Sequence, residues 1–401
     1  MFEGVPVQEL TLVTTLTLIL LTKSEKFFTV LYSAPSRFFA AFIVISIISV
    51  LANGDSFSYA FSVIAYKYIK FYIGYLMLVV ANDEPSKIRK TMFYIIVSGS
   101  IVSYFAINLM LTGKGVGAGI GVTEQTLNWR GAIQWLGSFG GTNTTGLLLL
   151  FIFSISLGFL YREKSKIKQI FYLSTTAWIG TAFFMTHSRG GFLGFMAALA
   201  FFFYIKTKIR LKIFLPGALI LVVLVLVLKP DDPGRGLGSS STPERVELYH
   251  QGLQMFKHNP IFGVGSSRFP NNNRIKKTAH NIYLNVLAET GFFGFFFFMA
   301  MWFVVIKKIR INLPTVDENS LISRNIQTSF LMITGIGVSL FFLSADHEIP
   351  YIAFALLTSS ANQFNDTYTV SSQEYKTTLK VIIAIIAFVY VAIQLFFMLY
   401  R

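Results

Sequence analysis

The chain has 401 residues, 54% of them hydrophobic and 13% charged, with a mean hydropathy of +0.60, which excludes a water-soluble core as the destination of so much apolar sequence. It contains no cysteine, which excludes disulfides, thiolate nucleophiles and sulfur-built zinc or iron–sulfur sites. The net charge of +15 would raise nucleic acid as a partner of a soluble protein. Here the Lys and Arg residues fall in short loops between apolar runs, and no aromatic–basic RNA motif or recognition helix accompanies them, so nucleic acid is excluded too.

Apolar runs fall at 8–22, 37–52, 57–81, 91–112, 143–160, 168–186, 190–205, 212–228, 281–306, 326–343, 350–362 and 378–399. Crossing a hydrocarbon core of about 30 Å takes roughly 20 helical residues, and these runs lack the alternation of barrel strands. The predicted fold is therefore all-α, a polytopic transmembrane bundle of about twelve spans. Residues 1–10 hold Glu3 and Glu9 and no basic residue, unlike the n-region of a cleaved signal peptide, so the first run is expected to stay as a membrane helix. The run at 57–81 exceeds a span and holds Lys67 and Lys70. Charge within lipid is costly, which makes both lysines suspects for an anionic ligand, although an interfacial first half from which they snorkel explains them as well.

Orientation follows from the basic loops. Arg162, Lys164, Lys166 and Lys168, then Lys206, Lys208, Arg210 and Lys212, then Lys307, Lys308 and Arg310 are expected at the cytoplasm. The connections at 53–56, 113–142, 188–190, 229–280 and 345–350 are then outside. Strict alternation places both termini outside as well. Three regions result: an N-terminal transmembrane bundle over 1–228, a small helical periplasmic loop over 229–280, and C-terminal transmembrane helices over 281–401.

The loop opens with Lys229-Pro230-Asp231-Asp232-Pro233-Gly234 and a Gly/Ser run. A helix then begins with Thr242 as N-cap, Pro243 in the first position and Glu244 in the first turn. Val246, Tyr249, Leu253 and Phe256 give it one apolar face, and Asn259-Pro260 stops it. It is expected to lie on the membrane surface or on the bundle.

Residues 229–280 carry eight Lys/Arg against four Asp/Glu, an excess on the side where topology does not call for it. An anionic ligand such as a lipid pyrophosphate would account for it, and so would attraction to anionic headgroups. Arg189, in His187-Ser188-Arg189-Gly190-Gly191, and His280-Asn281 each stand at the outer start of a span. Helix N-termini there favour an anion, and Gly190 and Gly191 let a ligand or a neighbouring helix come close. Taken singly, Arg189 reads as snorkelling and His280 as a cap. Gly263-Val264-Gly265-Ser266-Ser267-Arg268 resembles a phosphate-cradling turn only in its glycines and reads as a turn that positions Arg268. The five histidines are not paired at i, i+4, which gives no HExxH-type metal site. Ala345-Asp346-His347-Glu348 clusters a histidine with two acids and reads as a polar turn.

His280-Asn281, nine residues at 282–290, Gly291, two residues and Gly294 together resemble the signature of the O-antigen ligase and polymerase superfamily. Further resemblance lies in Ser188-Arg189-Gly190 with Leu193, in Arg245, and in Asn259-Pro260 with Gly263 and Gly265. The resemblance covers about 180–306. It implies a bacterial inner-membrane glycosyltransferase, metal-independent, inverting and without cofactor, acting at the periplasmic face. The implied donor is a glycan on undecaprenyl pyrophosphate, and the implied acceptor is lipid A-core for a ligase or a lipid-linked repeat unit for a polymerase. The motif histidine falls on His280, as general base or as a partner of the departing pyrophosphate. The phosphate-binding arginines fall on Arg189 and on Arg245 or Arg268. A transporter using the same arginines is the rival of another class, but it should show Gly/Pro-broken helices paired between two halves, and no such pairing is visible.

Overall fold

The structure, a computed structural model, describes residues 7–112, 135–136, 139–207, 241–343 and 347–364, with isolated positions at 376, 380, 383–384 and 391. The expected span at 212–228, nearly all of that at 378–399, most of the 113–142 connection and the Lys229–Gly234 opening of the loop lie outside the described residues. So do Ala345 and Asp346.

The fold is helical. In chain order the helices are α1 (Val7–Thr22), α2 (Ser24–Leu31), α3 (Ala34–Ala52), α4 (Phe57–Ala60), a π-helical stretch (Phe61–Ile69), α5 (Lys70–Ala81) and α6 (Pro85–Thr112). A short antiparallel pairing of Trp135–Leu136 with Phe139–Gly140 precedes α7 (Thr142–Leu160), α8 (Lys166–Phe184) and α9 (Arg189–Thr207). Then come α10 (Ser241–His258), α11 (Ile282–Asn312), α12 (Leu321–Ser339) and α13 (Ile349–Ala361). Among the described residues α3, α6, α7, α9 and α11 are long and apolar enough to cross a membrane, so five candidate spans stand where the apolar runs suggested about twelve. The others are shorter or less apolar. The 57–81 run, for example, divides into α4, the π-helical stretch and α5.

The chain packs as two compact units. The first comprises Met1–Glu84, Leu237–Pro314 and Phe354–Arg401, and the second Pro85–Gly236 and Thr315–Ala353. In the second unit α7 is the axis. It is apolar all round and buried on nearly every face, as a helix with no polar stripe must be. Its neighbours α6, α8, α9 and α12 approach through small residues. A Cβ at Gly194 would overlap the Gly335 carbonyl, and one at Gly158 would press on Thr328. Without a hydrophobic drive between helices in lipid, such close backbone contact supplies the cohesion. One end of this unit holds the pairs Arg162–Glu318 and Arg324–Glu163, with the Arg89 guanidinium 3.3 Å from the Phe159 ring centroid.

In the first unit α3 and α11 pack along their lengths, with aromatic contacts from Phe42 to Tyr68 and Phe298, and from Tyr75 and Trp302 to Phe354. The run 292–298 thus supplies both core rings, Phe295 and Phe298, and an exposed one, Phe293. The loop helix α10 docks on α11 and not on a membrane surface alone: Leu248, Leu253 and Met255 close a small core with Val264, Phe269, Ala279, Leu284 and Ala288.

α11 is broken at Gly291, whose φ of 65° and ψ of −162° leave the helical region. The break releases carbonyls that the loop then takes up. Val264 N donates to Ala288 O at 3.0 Å, Gly265 N to Glu289 O at 3.0 Å, and Phe292 N to Pro260 O at 2.8 Å. Ser49 Oγ reaches Phe262 O at 2.5 Å and Glu289 O at 2.6 Å, and Asn53 Nδ2 reaches Gly263 O at 3.0 Å. A Cβ on Gly291 would collide with the Ile261 backbone, and one on Gly263 with Glu289. Replacing Gly291 by alanine is expected to lose about 2–4 kcal/mol of stability, from left-handed strain plus the clash. Thermal unfolding in detergent should show the loss, and an unchanged midpoint would mean that the break is incidental.

Candidate functional site

The site begins with the first turns of α10. While its apolar face seals the core below, Glu244, Arg245 and Tyr249 meet the returning segment that leads into α11. Lys277 Nζ pairs with Glu244 Oε1 at 2.5 Å, and the Tyr249 hydroxyl shares a hydrogen bond with the Asn281 side chain. Asn281 caps α11, its Oδ1 accepting from Leu284 N at 3.1 Å, while Ala279 N donates to Asn285 Oδ1 at 3.1 Å. His280 is therefore pinned on both sides. Its φ of 51° is left-handed, a conformation that a residue with a Cβ holds only when its surroundings enforce it.

The imidazole is half-buried. Burial lowers its pKa below the ordinary 6.5, the positive charges of Arg245 and Lys277 lower it further, and Glu244 opposes them. Its neutral form thus prevails at pH 7, which is the form that can accept a proton. Burial raises the Tyr249 hydroxyl pKa, while the nearby Arg245 works against that rise. One histidine, one arginine, the Lys277–Glu244 pair and a tyrosine hydroxyl thus surround the head of a helix long enough to span.

Arg268 is engaged elsewhere. Its Nε donates to Asp55 Oδ2 at 3.0 Å, its Nη2 pairs with the same carboxylate, and its guanidinium lies 4.1 Å over the Tyr59 ring. The glycine turn before it does hold an anion, but an internal one: the Glu289 carboxylate accepts from Ser267 N at 2.9 Å and from Phe269 N at 3.1 Å. The turn positions Arg268, as its sequence suggested, and it points the residue at Asp55. The pairings of Asp55, Glu289, Glu244 and Lys277 leave no signal in the sequence, because 20 or more residues separate the members of each pair, beyond the reach of any local pattern.

Arg189 lies in the second unit, exposed at the first position of α9. Ser188 caps that helix, its Oγ accepting from Gly191 N at 3.2 Å and donating to Asn143 Oδ1 at 3.1 Å. Thr144, in the first turn of α7, is bonded to His347 Nε2 at 2.9 Å, so the starts of α7 and α9 and the turn before α13 gather at one end of that unit. The close approach at Gly190 and Gly191 is protein against protein: added Cβ atoms there would meet Phe342, Phe183 and Ser188. His347 is thus committed to Thr144. Lys67 lies in the π-helical stretch with its ammonium 5.3 Å over the Tyr68 ring, and Lys70 opens α5; both are half-buried. In each unit, connections expected on one side of the membrane do gather at one end: 53–56 with the loop in the first, 142 with 188–190 and 347 in the second.

Residues 174–299 match the family model described as O-antigen ligase. The matched stretch contains Arg189, Arg245, Arg268, His280, Gly291 and Gly294, so the family resemblance carried by those residues is borne out. No curated protein matches the chain.

If Arg268 serves the loop and not a ligand, Arg268→Ala and Asp55→Ala should each cost about 1 kcal/mol, and the double substitution little more than either alone. Melting midpoints of the three variants in detergent measure this. Additive losses would mean that the pair does not act as a unit.

Proposed function

Proceeding from a helical membrane protein whose residues 174–299 match the O-antigen ligases, we propose that it transfers O-antigen, or a related glycan, from undecaprenyl pyrophosphate to a lipid A-core acceptor. The reaction takes place at the periplasmic face of the bacterial inner membrane. The observation that carries this reading is the half-buried His280, kept neutral between Arg245 and Lys277 at the start of α11.

In the transfer an acceptor hydroxyl attacks the anomeric carbon, giving its proton to the His280 imidazole. The anomeric C–O bond breaks and the pyrophosphate leaves with the electron pair. Attack from the face opposite the leaving group inverts the anomeric centre. Pyrophosphate is already a good leaving group, so what the protein supplies is compensation for charge gathering on it, from preorganised cations and helix N–H groups. Arg245 is preferred to Arg268 for this role, because Asp55 neutralises Arg268, whereas Glu244 pairs with Lys277 and Arg245 faces the His280 imidazole. Arg189, at the head of α9 beside the start of α7, is proposed as a second phosphate ligand, with Lys67 and Lys70 as further candidates. The chemistry needs neither metal nor cofactor. Polymerisation of lipid-linked repeat units is the same reaction with another acceptor, and a reconstitution offering both acceptors separates the two.

In liposomes with a synthetic lipid-linked glycan, His280→Ala is expected to reduce transfer by roughly 10²–10⁴-fold, the usual worth of a positioned acid–base group, with folding intact. Full transfer by that variant would remove His280 from the mechanism. The pH profile gives an independent check. A base must be unprotonated, so the rate falls on acidification through the depressed pKa. Arg245→Gln removes a charge that depresses it and should move this acid limb to higher pH, whereas Glu244→Gln should move it lower. Limbs that stay in place, or move the other way, would show that the titrating group is not His280.

A further inference from the structure

The far half of α10 borders a groove that the transfer chemistry does not use. A cavity of about 540 Å³ opens there, between the last turns of α10 and the segment 271–276 that returns toward α11. This volume falls in the range of sites for small organic ligands. From Arg245, beside His280, to Gln254 on the groove the helix rises roughly 14 Å at 1.5 Å per residue, a distance that a short glycan spans.

The walls are fixed before any ligand arrives. Asn273 ties the returning segment into a turn: its Nδ2 donates to Phe269 O at 2.7 Å and to Lys277 O at 2.8 Å, and its Oδ1 accepts from Ile275 N at 3.0 Å. Gln251 joins that turn to α10, its Oε1 accepting from Arg274 N at 2.9 Å and its Nε2 donating to Glu247. These two carboxamides are consumed in building the groove. Those of Gln254 and Asn271 line it as well, and neither bonds to protein among the described residues. The Arg274 guanidinium is likewise unengaged there, and His258 gives Nδ1 to the Gln254 carbonyl at 2.8 Å, which keeps its Nε2 for a ligand.

Such a set of groups suits sugar hydroxyls. A carboxamide donates and accepts at once, as a hydroxyl does, and a guanidinium reaches two neighbouring oxygens. Among the described residues the lining holds no carboxylate and carries Arg274 and Lys276, which disfavours a metal ion. Its apolar part is confined to Met255 and Val264, both buried, too little for a lipid chain. No Phe, Tyr or Trp is among the described lining residues, so a nucleobase has nothing to stack on. We propose that this groove binds the transferred glycan through sugars beyond the one that reacts at His280. Which glycan arrives rests on the proposed transfer reaction, whereas saccharide binding rests on the groove itself.

Saturation-transfer difference NMR tests this on the full chain in detergent, with lipid-free fragments of the host's own surface polysaccharide released by mild acid. Sugar protons should be saturated, and the affinity should fall about tenfold in Gln254→Ala/Asn271→Ala, the worth of two ordinary neutral hydrogen bonds. The melting midpoint should not move, because neither side chain bonds to the protein. His280→Ala should bind the fragments as the unsubstituted protein does, and so should Asn362→Ala/Gln363→Ala, which removes two carboxamides just after α13. In transfer assays the groove variant should raise KM several-fold for a lipid-linked glycan of many sugars, and leave kcat, and both constants for a lipid-linked single sugar, unchanged. Absent saturation, equal affinity in the groove variant, or a KM rise as large for the single sugar would overturn the proposal. Displacement of the sugar by millimolar inorganic phosphate, abolished in Arg274→Ala and intact in Gln254→Ala/Asn271→Ala, would make the groove an anion site and also overturn it. Sugar binding that the groove variant loses, in a protein that performs no transfer, would support the groove and remove the transferase reading.

Discussion

The break in α11 at Gly291 is the constraint on which the site depends. A membrane helix normally satisfies every backbone group within itself, because hydrocarbon offers no substitute. At Gly291 that rule is relaxed, and the carbonyls of Ala288 and Glu289 become acceptors for Val264 and Gly265 of the loop. Ser49 and Asn53 of α3 complete the join. The loop is thereby held by main-chain bonds to a spanning helix, and α10 is fixed above the start of that helix. The break thus adds main-chain bonds to the docked core and the Lys277–Glu244 pair that hold Arg245 near His280.

The charged groups of the first unit then sort by what they already hold. Arg268 and Glu289 are consumed in building the loop, one by Asp55 and the other by two backbone N–H groups. Arg245 and Lys277 act on His280 instead, strengthening the effect of burial. Charge excess in a loop is therefore a poor guide to ligand binding until internal partners are subtracted.

The second unit shows how little of its glycine content concerns a ligand. Gly190, Gly191 and Gly194 read naturally as room for something to approach, and what approaches is protein: Phe342, Phe183 and the Gly335 backbone. Close helix packing fixes α9 against α12 and so fixes where Arg189 begins. The residue's proposed role rests on that placement at a helix start beside α7 and not on open space.

Whereas the face by which α10 closes its core joins Leu248 and Met255 to the expected Leu253 and Tyr249, hydropathy and the spacing of signals along the chain determined the helical membrane character, a loop helix that stops at Asn259-Pro260 and the family motif through His280, Gly291 and Gly294. These depend on neighbours within a few turns or on transfer into lipid, and both are written into local composition. Hydropathy overreached where it counted residues without knowing helix ends, as in the 57–81 run, which the π-helical stretch divides. Only the tertiary structure decided that Arg268 belongs to Asp55, that the glycine turn cradles Glu289, and that Glu244 and Lys277 frame the histidine. Those pairings join residues 20 to more than 200 apart in sequence, and a charge in a sequence carries no mark of the partner that folding will bring to it.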